Sequence, residues 1–207
     1  MKITPTRQAE TELWQAGHRY VVGIDEVGRG ALAGPVTAAA VILPEDCDLP
    51  MVADSKLLTH EERHKAAEAI KRTALAIGVG WVANGELDKS GLTWAVTTSG
   101  KRALASLGNG IDAVLLDGNH NYLSGAYSSR AIVGADGSCL CVAAASIIAK
   151  VARDSYMELL HRTYHLYGFA GHKGYGTKFH RAALAQYGPS PLHRYSYQPV
   201  RELSLVG

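Results

Sequence analysis

Four short apolar runs, three of them closed by an acid, a glycine or a proline, constrain this chain more than any other feature. Residues 20–25 read YVVGID, 36–43 VTAAAVIL, 74–83 ALAIGVGWVA and 111–117 IDAVLLD. Their apolar residues are continuous rather than alternating, the pattern of strands covered on both faces. A weaker fifth run lies at residues 129–133. Helical patterns fill the spaces between. Thr59 with Glu62 three residues on forms a capping box, opening a helix that runs to about Thr73. Residues 86–107 carry apolar positions at helical spacing, with Gly91 and Gly100 as weak points. Residues 139–164 set Val142, Ala145, Ile148, Ala149, Ala152, Tyr156, Leu159 and Leu160 on one broad helical face. Beyond them, 168–176 reads as a glycine-rich loop, 177–187 as a short helix and 188–199 as an extended, proline-bounded tail. Strands clustered early and then alternating with helices predict a three-layer α/β domain with a mixed central sheet. No long repeat or low-complexity linker divides the 207 residues, so a single domain over 1–207 is expected. Its N-terminal lead-in is 1–19, where Glu10, Leu13 and Trp14 suggest a docked helix, and its C-terminal segment starts at about 165.

Composition narrows the class. Apolar residues at 47% and charged residues at 19% exclude wholesale disorder. The longest apolar runs, 36–43 and 141–149, are too short to span a bilayer, and the first residues lack the apolar core of a signal peptide. Cys47, Cys139 and Cys141 form no Cys-x-x-Cys, so neither a disulfide framework nor a structural zinc site is indicated. A reduced, cytoplasmic protein without membrane contact is expected. The net charge of +2 says little, but its distribution says more. Residues 1–149 hold 13 Lys/Arg against 16 Asp/Glu, whereas 150–194 hold 7 against 2, with five of the nine histidines. An acidic first part and a basic last part suit a polyanion partner whose chemistry needs cations.

The acids sit where such chemistry would need them. Asp25 and Glu26 end the first run, Asp117 ends the fourth, and Asp136 follows the fifth. Strand ends hold ligands rigidly, and converging carboxylates repel one another, which favours divalent cations. An all-oxygen set without His or Cys selects Mg2+ or Mn2+. Each acid alone also fits an ordinary turn. Adjacent strand residues point to opposite faces, so Asp25 and Glu26 share a site only where the chain bends, which Gly28 and Gly30 permit. The loop GRGALAG at 28–34 is neither a P-loop nor a dinucleotide fingerprint, and it places Arg29 beside the acids. Asp54, Ser55 and Lys56 also fit a helix-entry turn. Ser146, Lys150 and Asp154 form a stripe at i, i+4, i+8, equally readable as a surface ion pair. The stretch 172–178, HKGYGTK, suits backbone phosphates with the Tyr175 ring on a sugar or base, or else a loop anchored by Tyr175. His193, Arg194, Tyr195 and Tyr197 invite a similar, weaker reading.

Six blocks occur in order: GIDEVGRGALAGPV at 23–36, DSK at 54–56, LLDG at 115–118, AAASIIAKVARD at 143–154, HKGYGT at 172–177 and HRYSYQPV at 193–200. Together they resemble bacterial ribonuclease HII, the type 2 ribonuclease H, over about residues 10–200. The resemblance implies a ribonuclease H-like α/β fold with a C-terminal helical segment. It implies an endonuclease that cleaves the RNA strand of RNA–DNA hybrids and nicks duplex DNA 5′ to an embedded ribonucleotide, acting as a monomer in ribonucleotide removal. By the same resemblance Asp25, Glu26, Asp117 and Asp136 are the catalytic carboxylates holding two Mg2+ or Mn2+ ions, and water attack leaves a 5′-phosphate and a 3′-hydroxyl. Gly28, Arg29, Gly30 and Tyr175 match the element that senses the ribose 2′-hydroxyl, while Asp154 matches a structural position. Lys56, Ser146, Lys150 and Lys173, within the matching blocks, complete the expected substrate contacts. The similar ribonuclease HIII usually carries an added N-terminal domain; the GRG block and the 19 residues before the first run favour HII. One departure stands out. The family commonly has a lysine two residues after the fourth acid, in GD-x-K-S, where this chain has Ala135-Asp136-Gly137-Ser138.

Overall fold

A computed structural model describes residues 4–108 and 110–204. Strands β1 (Val21–Val27), β2 (Val36–Ile42), β3 (Ala76–Val82), β4 (Ala113–Asp117) and β5 (Ser128–Ile132) form one sheet in the order β3–β2–β1–β4–β5. β2 runs antiparallel to both β1 and β3, whereas β4 is parallel to β1 and β5 is parallel to β4. The sheet is mixed, as the sequence pattern predicts. β2 is buried at every residue, but β3 alternates between buried and half-buried residues because it lies at the sheet edge.

Nine helices accompany the sheet among the described residues: α1 (Gln8–Gln15), α2 (His60–Thr73), α3 (Asn84–Ser90), α4 (Leu92–Leu107), α5 (Ala135–Ser138), α6 (Leu140–Thr163), α7 (Phe169–His172), α8 (Lys178–Tyr187) and α9 (Gln198–Ser204). The Thr59 capping box opens α2, and the lead-in is the docked helix α1, with Glu10 and Leu13 buried. Gly91, at φ 84°, divides the expected 86–107 helix into α3 and α4. Gly100 breaks nothing; it makes room for the Tyr122 phenol. The long α6 crosses β1 and β2 on one face with α2 behind it, while α4 covers β2 and β3 on the other. Val21 faces the α6 side, and Val22 and Ile24 face the α4 side. Between them Gly23 lets α6 approach closely. A Cβ there would lie 2.2 Å from the Cys141 carbonyl carbon. The Glu10 carboxylate accepts the Cys141 N–H at 2.8 Å, placing negative charge at the start of α6.

The C-terminal segment is more ordered than its glycines and prolines suggest. The expected loop 168–176 contains α7, preceded by a 3-10 turn at His165–Tyr167, and the expected extended tail turns into α9. Residues too short-range to show a period are held by a chain of neutral imidazoles. The Ser190 N–H donates to His193 Nδ1 at 2.9 Å, so the other His193 nitrogen carries the proton and donates to His180 Nε2 at 3.0 Å. That leaves the His180 Nδ1–H to donate to the Tyr175 carbonyl at 3.0 Å. His172 accepts the Gly174 N–H at Nδ1 and donates from Nε2 to the Tyr167 carbonyl. Burial pushes both His180 and His193 down to about 4, with help from His172 and, for His193, from His180.

A histidine free in the unfolded chain titrates near 6.5. Below that pH the unfolded chain takes up protons that these rings refuse. Their contribution to stability is therefore complete above about 6.5 and declines as pH falls toward 4. Imidazole NMR should show two rings titrating near 4, and the melting temperature of a His193→Gln variant should depend less on pH between 6.5 and 4 than that of the parent. Midpoints near 6.5 for both rings would contradict the neutral chain.

Candidate active site

The parallel pairing of β1 with β4 fixes the first part of the site. Ile24 lies opposite Leu116, so Asp25 and Asp117 leave the sheet at the same end. β5 then turns through Gly134, at φ 72°, into α5, which carries Asp136. The Ala135 N–H donates to Asp117 Oδ1 at 2.8 Å and ties α5 to the end of β4. Alternation along β1 does send Asp25 and Glu26 to opposite sides. Asp25 is buried beneath α6, near Ser146, and Glu26 turns toward Leu92 and Tyr122 on the α4 side. They share a site because the strand ends one residue later, at Val27, and Gly28 bends the chain at φ 92°. One cleft of about 360 Å³ is lined by Asp25, Glu26, Asp117, Ser146, Lys150 and Tyr175. A second, of about 280 Å³, lies on the α4 side and shares Glu26, Arg29 and Asp117 with it.

These carboxylates raise one another's proton affinity. Burial pushes Asp25 up to about 8, with Glu26 and Asp117 adding repulsion and the Ser146 hydroxyl pulling the other way. Burial also raises Glu26, which Arg29 opposes through a 3.0 Å ion pair. Asp117 is raised by burial and by Asp136. Among the described residues no three acidic, imidazole or thiol side chains are gathered into a ready ion cage. The donor set still fits a hard divalent cation. It is all carboxylate, and burial together with the neighbouring acids makes Asp25 hold its proton near neutral pH.

One cation is already in place. Lys56 Nζ lies 2.6 Å from Asp136 Oδ2. The fourth acid, which lacks a lysine beside it in sequence, is thus met by one from the turn before α2, 80 residues away along the chain.

The remaining expected residues divide. Ser146 Oγ is 2.9 Å from Ser55 Oγ and lines the cleft. Lys150 lines it too, paired with Asp154 at 2.9 Å and 5.7 Å from the Tyr175 ring centre. Gly30 stands in open space, since a Cβ there would touch nothing within 4 Å. Lys173 is not among the residues that line the cleft. Its ammonium pairs with Glu158 at 2.9 Å and donates to the Ala170 carbonyl. His193 and Arg194 are buried and do not form the surface cluster that the sequence suggested. Arg63, which the sequence analysis passed over, lines the cleft and donates to the Ser55 and Leu58 carbonyls. Its only sequence signal was a place in the first turns of a capped helix beside the DSK block.

If Lys56 balances the acid pair, Lys56→Met should lower the melting temperature in EDTA by an amount worth on the order of 1 kcal/mol or less, since the ammonium is largely exposed. Millimolar Mg2+ should restore part of the loss. A variant that melts with the parent in EDTA would remove Lys56 from the balance.

The sequence matches the family model for ribonuclease HII over residues 22–200. A ribonuclease HII of Synechococcus sp. (strain JA-3-3Ab) is 45% identical over 204 residues, covering 97% of this chain and 91% of the relative. The crystal structure of the ribonuclease H2 from Pyrococcus horikoshii OT3 superposes with a TM-score of 0.77 at 26% identity, over 90% of this chain and 98% of that one. Bst ribonuclease HIII in complex with Mn2+ shares the fold at a TM-score of 0.74 and 22% identity, over 93% of this chain and 71% of that one.

Proposed function

Because this chain belongs to the ribonuclease HII family, metal-dependent enzymes that cleave the RNA strand of RNA–DNA hybrids, we propose that it also nicks duplex DNA on the 5′ side of an embedded ribonucleotide. The observation that carries this reading is the sharing of one cleft by Asp25, Glu26 and Asp117 with Tyr175. A protein that tells RNA from DNA at a single position has to contact the 2′-hydroxyl within about one nucleotide of the bond it cuts. Here the glycine turn starts two residues after Glu26, and Ala31 bridges to Tyr175.

In this reading Asp25, Glu26, Asp117 and Asp136 hold two Mg2+ or Mn2+ ions. Bound there, divalent ions supply an activated water and offset the charge that builds on the phosphate and the departing 3′-oxygen. Attack in line leaves a 5′-phosphate and a 3′-hydroxyl, the ends needed for ribonucleotide removal. Ser146 orients Asp25 through its hydroxyl. Arg29 pairs with Glu26 and keeps its charge balanced until substrate arrives. Lys56 pairs with Asp136 and offsets part of its repulsion of Asp117. The backbone at Gly28 and Gly30 contacts the 2′-hydroxyl, and the Tyr175 ring packs on the neighbouring sugar. Lys150 and Arg63 present positive charge to the phosphates.

A labelled DNA duplex with one ribonucleotide should be cut once, 5′ to that residue, with Mg2+ or Mn2+ and not with EDTA. Asp25→Asn should lose at least about 100-fold in rate while still binding the duplex. Tyr175→Ala should lose about tenfold or more on this substrate, with a smaller loss on a continuous RNA–DNA hybrid. Cutting of the hybrid alone, with the single-ribonucleotide duplex left intact, would refute the 2′-hydroxyl reading of Gly28, Gly30 and Tyr175.

A further inference from the structure

We propose that Arg153 is a positioning residue that locks the Gly28 turn to the Tyr175 loop, so that the two halves of the 2′-hydroxyl reader keep one geometry. The proposal rests on the assignment of Gly28, Gly30 and Tyr175 to that reader.

Arg153 lies on α6, one turn beyond the cleft-lining Lys150, and is fully buried. Its guanidinium joins two segments far apart in sequence. Nε donates to the Pro35 carbonyl at 3.0 Å and Nη2 to the Ala33 carbonyl at 3.2 Å. Nη1 reaches the other way, to the Lys173 carbonyl at 2.9 Å. The same group lies 5.4 Å from the Tyr175 ring centre. It also fills the space behind Gly28, where an added Cβ would lie 2.3 Å from Nε. All three hydrogen bonds go to main-chain carbonyls and none to a carboxylate. Burial pulls the group down to about 10, which leaves it charged at neutral pH.

Burying a charge with no acidic partner is costly. A planar fork of donors does something here that an apolar side chain or a lysine cannot: it fixes three diverging carbonyls at once. The two segments also touch directly, through the Leu32 N–H on the Gly174 carbonyl at 2.8 Å and the bridge between Ala31 and Tyr175. Arg194 secures the far end of the same turn by donating to the Arg29 and Gly34 carbonyls, but none of its hydrogen bonds reaches the Tyr175 loop. Arg153 alone among the buried cations spans both halves of the reader among the described residues.

The test compares kcat/KM on a DNA duplex with one ribonucleotide against a continuous RNA–DNA hybrid. Arg153→Lys keeps the charge and loses the fork. It should lower the single-ribonucleotide rate about tenfold or more while the hybrid rate falls by less, shifting the ratio in the same direction as Tyr175→Ala. The double variant should be no worse than Tyr175→Ala alone, because both changes break one unit. A ratio shifted by Tyr175→Ala but not by Arg153→Lys, or two effects that multiply, would overturn the coupling and leave the reader standing. If Tyr175→Ala leaves the ratio unchanged, the reader assignment fails and the coupling falls with it. Hydrogen exchange on the unaltered protein tests the coupling even if Arg153→Lys does not fold. The Leu32 and Tyr175 amides should open together, with one free energy and one denaturant dependence. Separate openings would overturn the coupling.

Discussion

Carboxylates of like charge, drawn out of water at the ends of two adjacent parallel strands, set the terms for the rest of the molecule. Asp25 is so poorly solvated that its proton is retained to about pH 8. Glu26 and Asp117 are shifted in the same direction by the same cause. Such a cluster is unfavourable in isolation. It persists because β1 and β4 are buried in the sheet centre, where neighbours on both faces leave the strand ends no freedom to splay. Gly23 brings α6 against β1, and that contact delivers Ser146 to Asp25 and Lys150 to the cleft. Partial relief comes from cations at the rim, Arg29 on Glu26 and Lys56 on Asp136. The arrangement is one that added positive charge would stabilise, which is the physical basis of the proposed metal site.

A second layer of charge lies beneath the glycine turn. Arg153 and Arg194 are buried with carbonyls as their main partners, and together they receive the chain at Arg29, Ala33, Gly34 and Pro35. The turn that follows the acids is therefore shaped from below by the C-terminal half of the protein. The same half is stiffened by the imidazole chain that ends on the Tyr175 carbonyl. Much of the basic excess of residues 150–194 thus serves the interior. Lys173 is paired with Glu158, His180 and His193 are neutral, and Arg153 and Arg194 face carbonyls. Of that segment's cations, Lys150 is the one that lines the cleft.

The sequence made the layered sheet legible because both-face burial requires uninterrupted apolar runs, and the run at 36–43 is recovered as the fully buried β2. It showed where Gly91 would interrupt a helix, since that residue adopts a backbone conformation other residues avoid. Gly100 looked equally disruptive, but its role is to admit Tyr122, a contact no local pattern encodes. α7 and α9 were illegible for a related reason. They are too short for a period and depend on buried histidines and arginines whose partners are distant. The acids were readable as strand-end residues. The bend that lets Asp25 and Glu26 share a site was readable from Gly28 and Gly30, but the parallel pairing of β1 with β4 that brings Asp117 alongside was not, because strand order leaves no local pattern. The pairing of Lys56 with Asp136 joins residues 80 apart, and Arg153 broke the expectation that arginine lies at the surface.

The central claim is that buried carboxylates at the ends of β1 and β4 are waiting for divalent charge. Melting the protein without nucleic acid, in EDTA and then in rising Mg2+ or Mn2+, tests this most directly, because a ligand that binds only the folded state stabilises it by mass action. The account predicts that millimolar metal raises the melting temperature of the parent and has little effect on Asp25→Asn, in which the most strongly shifted acid can no longer give up a proton to become a charged ligand. Equal shifts in both proteins, or no shift in either, would contradict it.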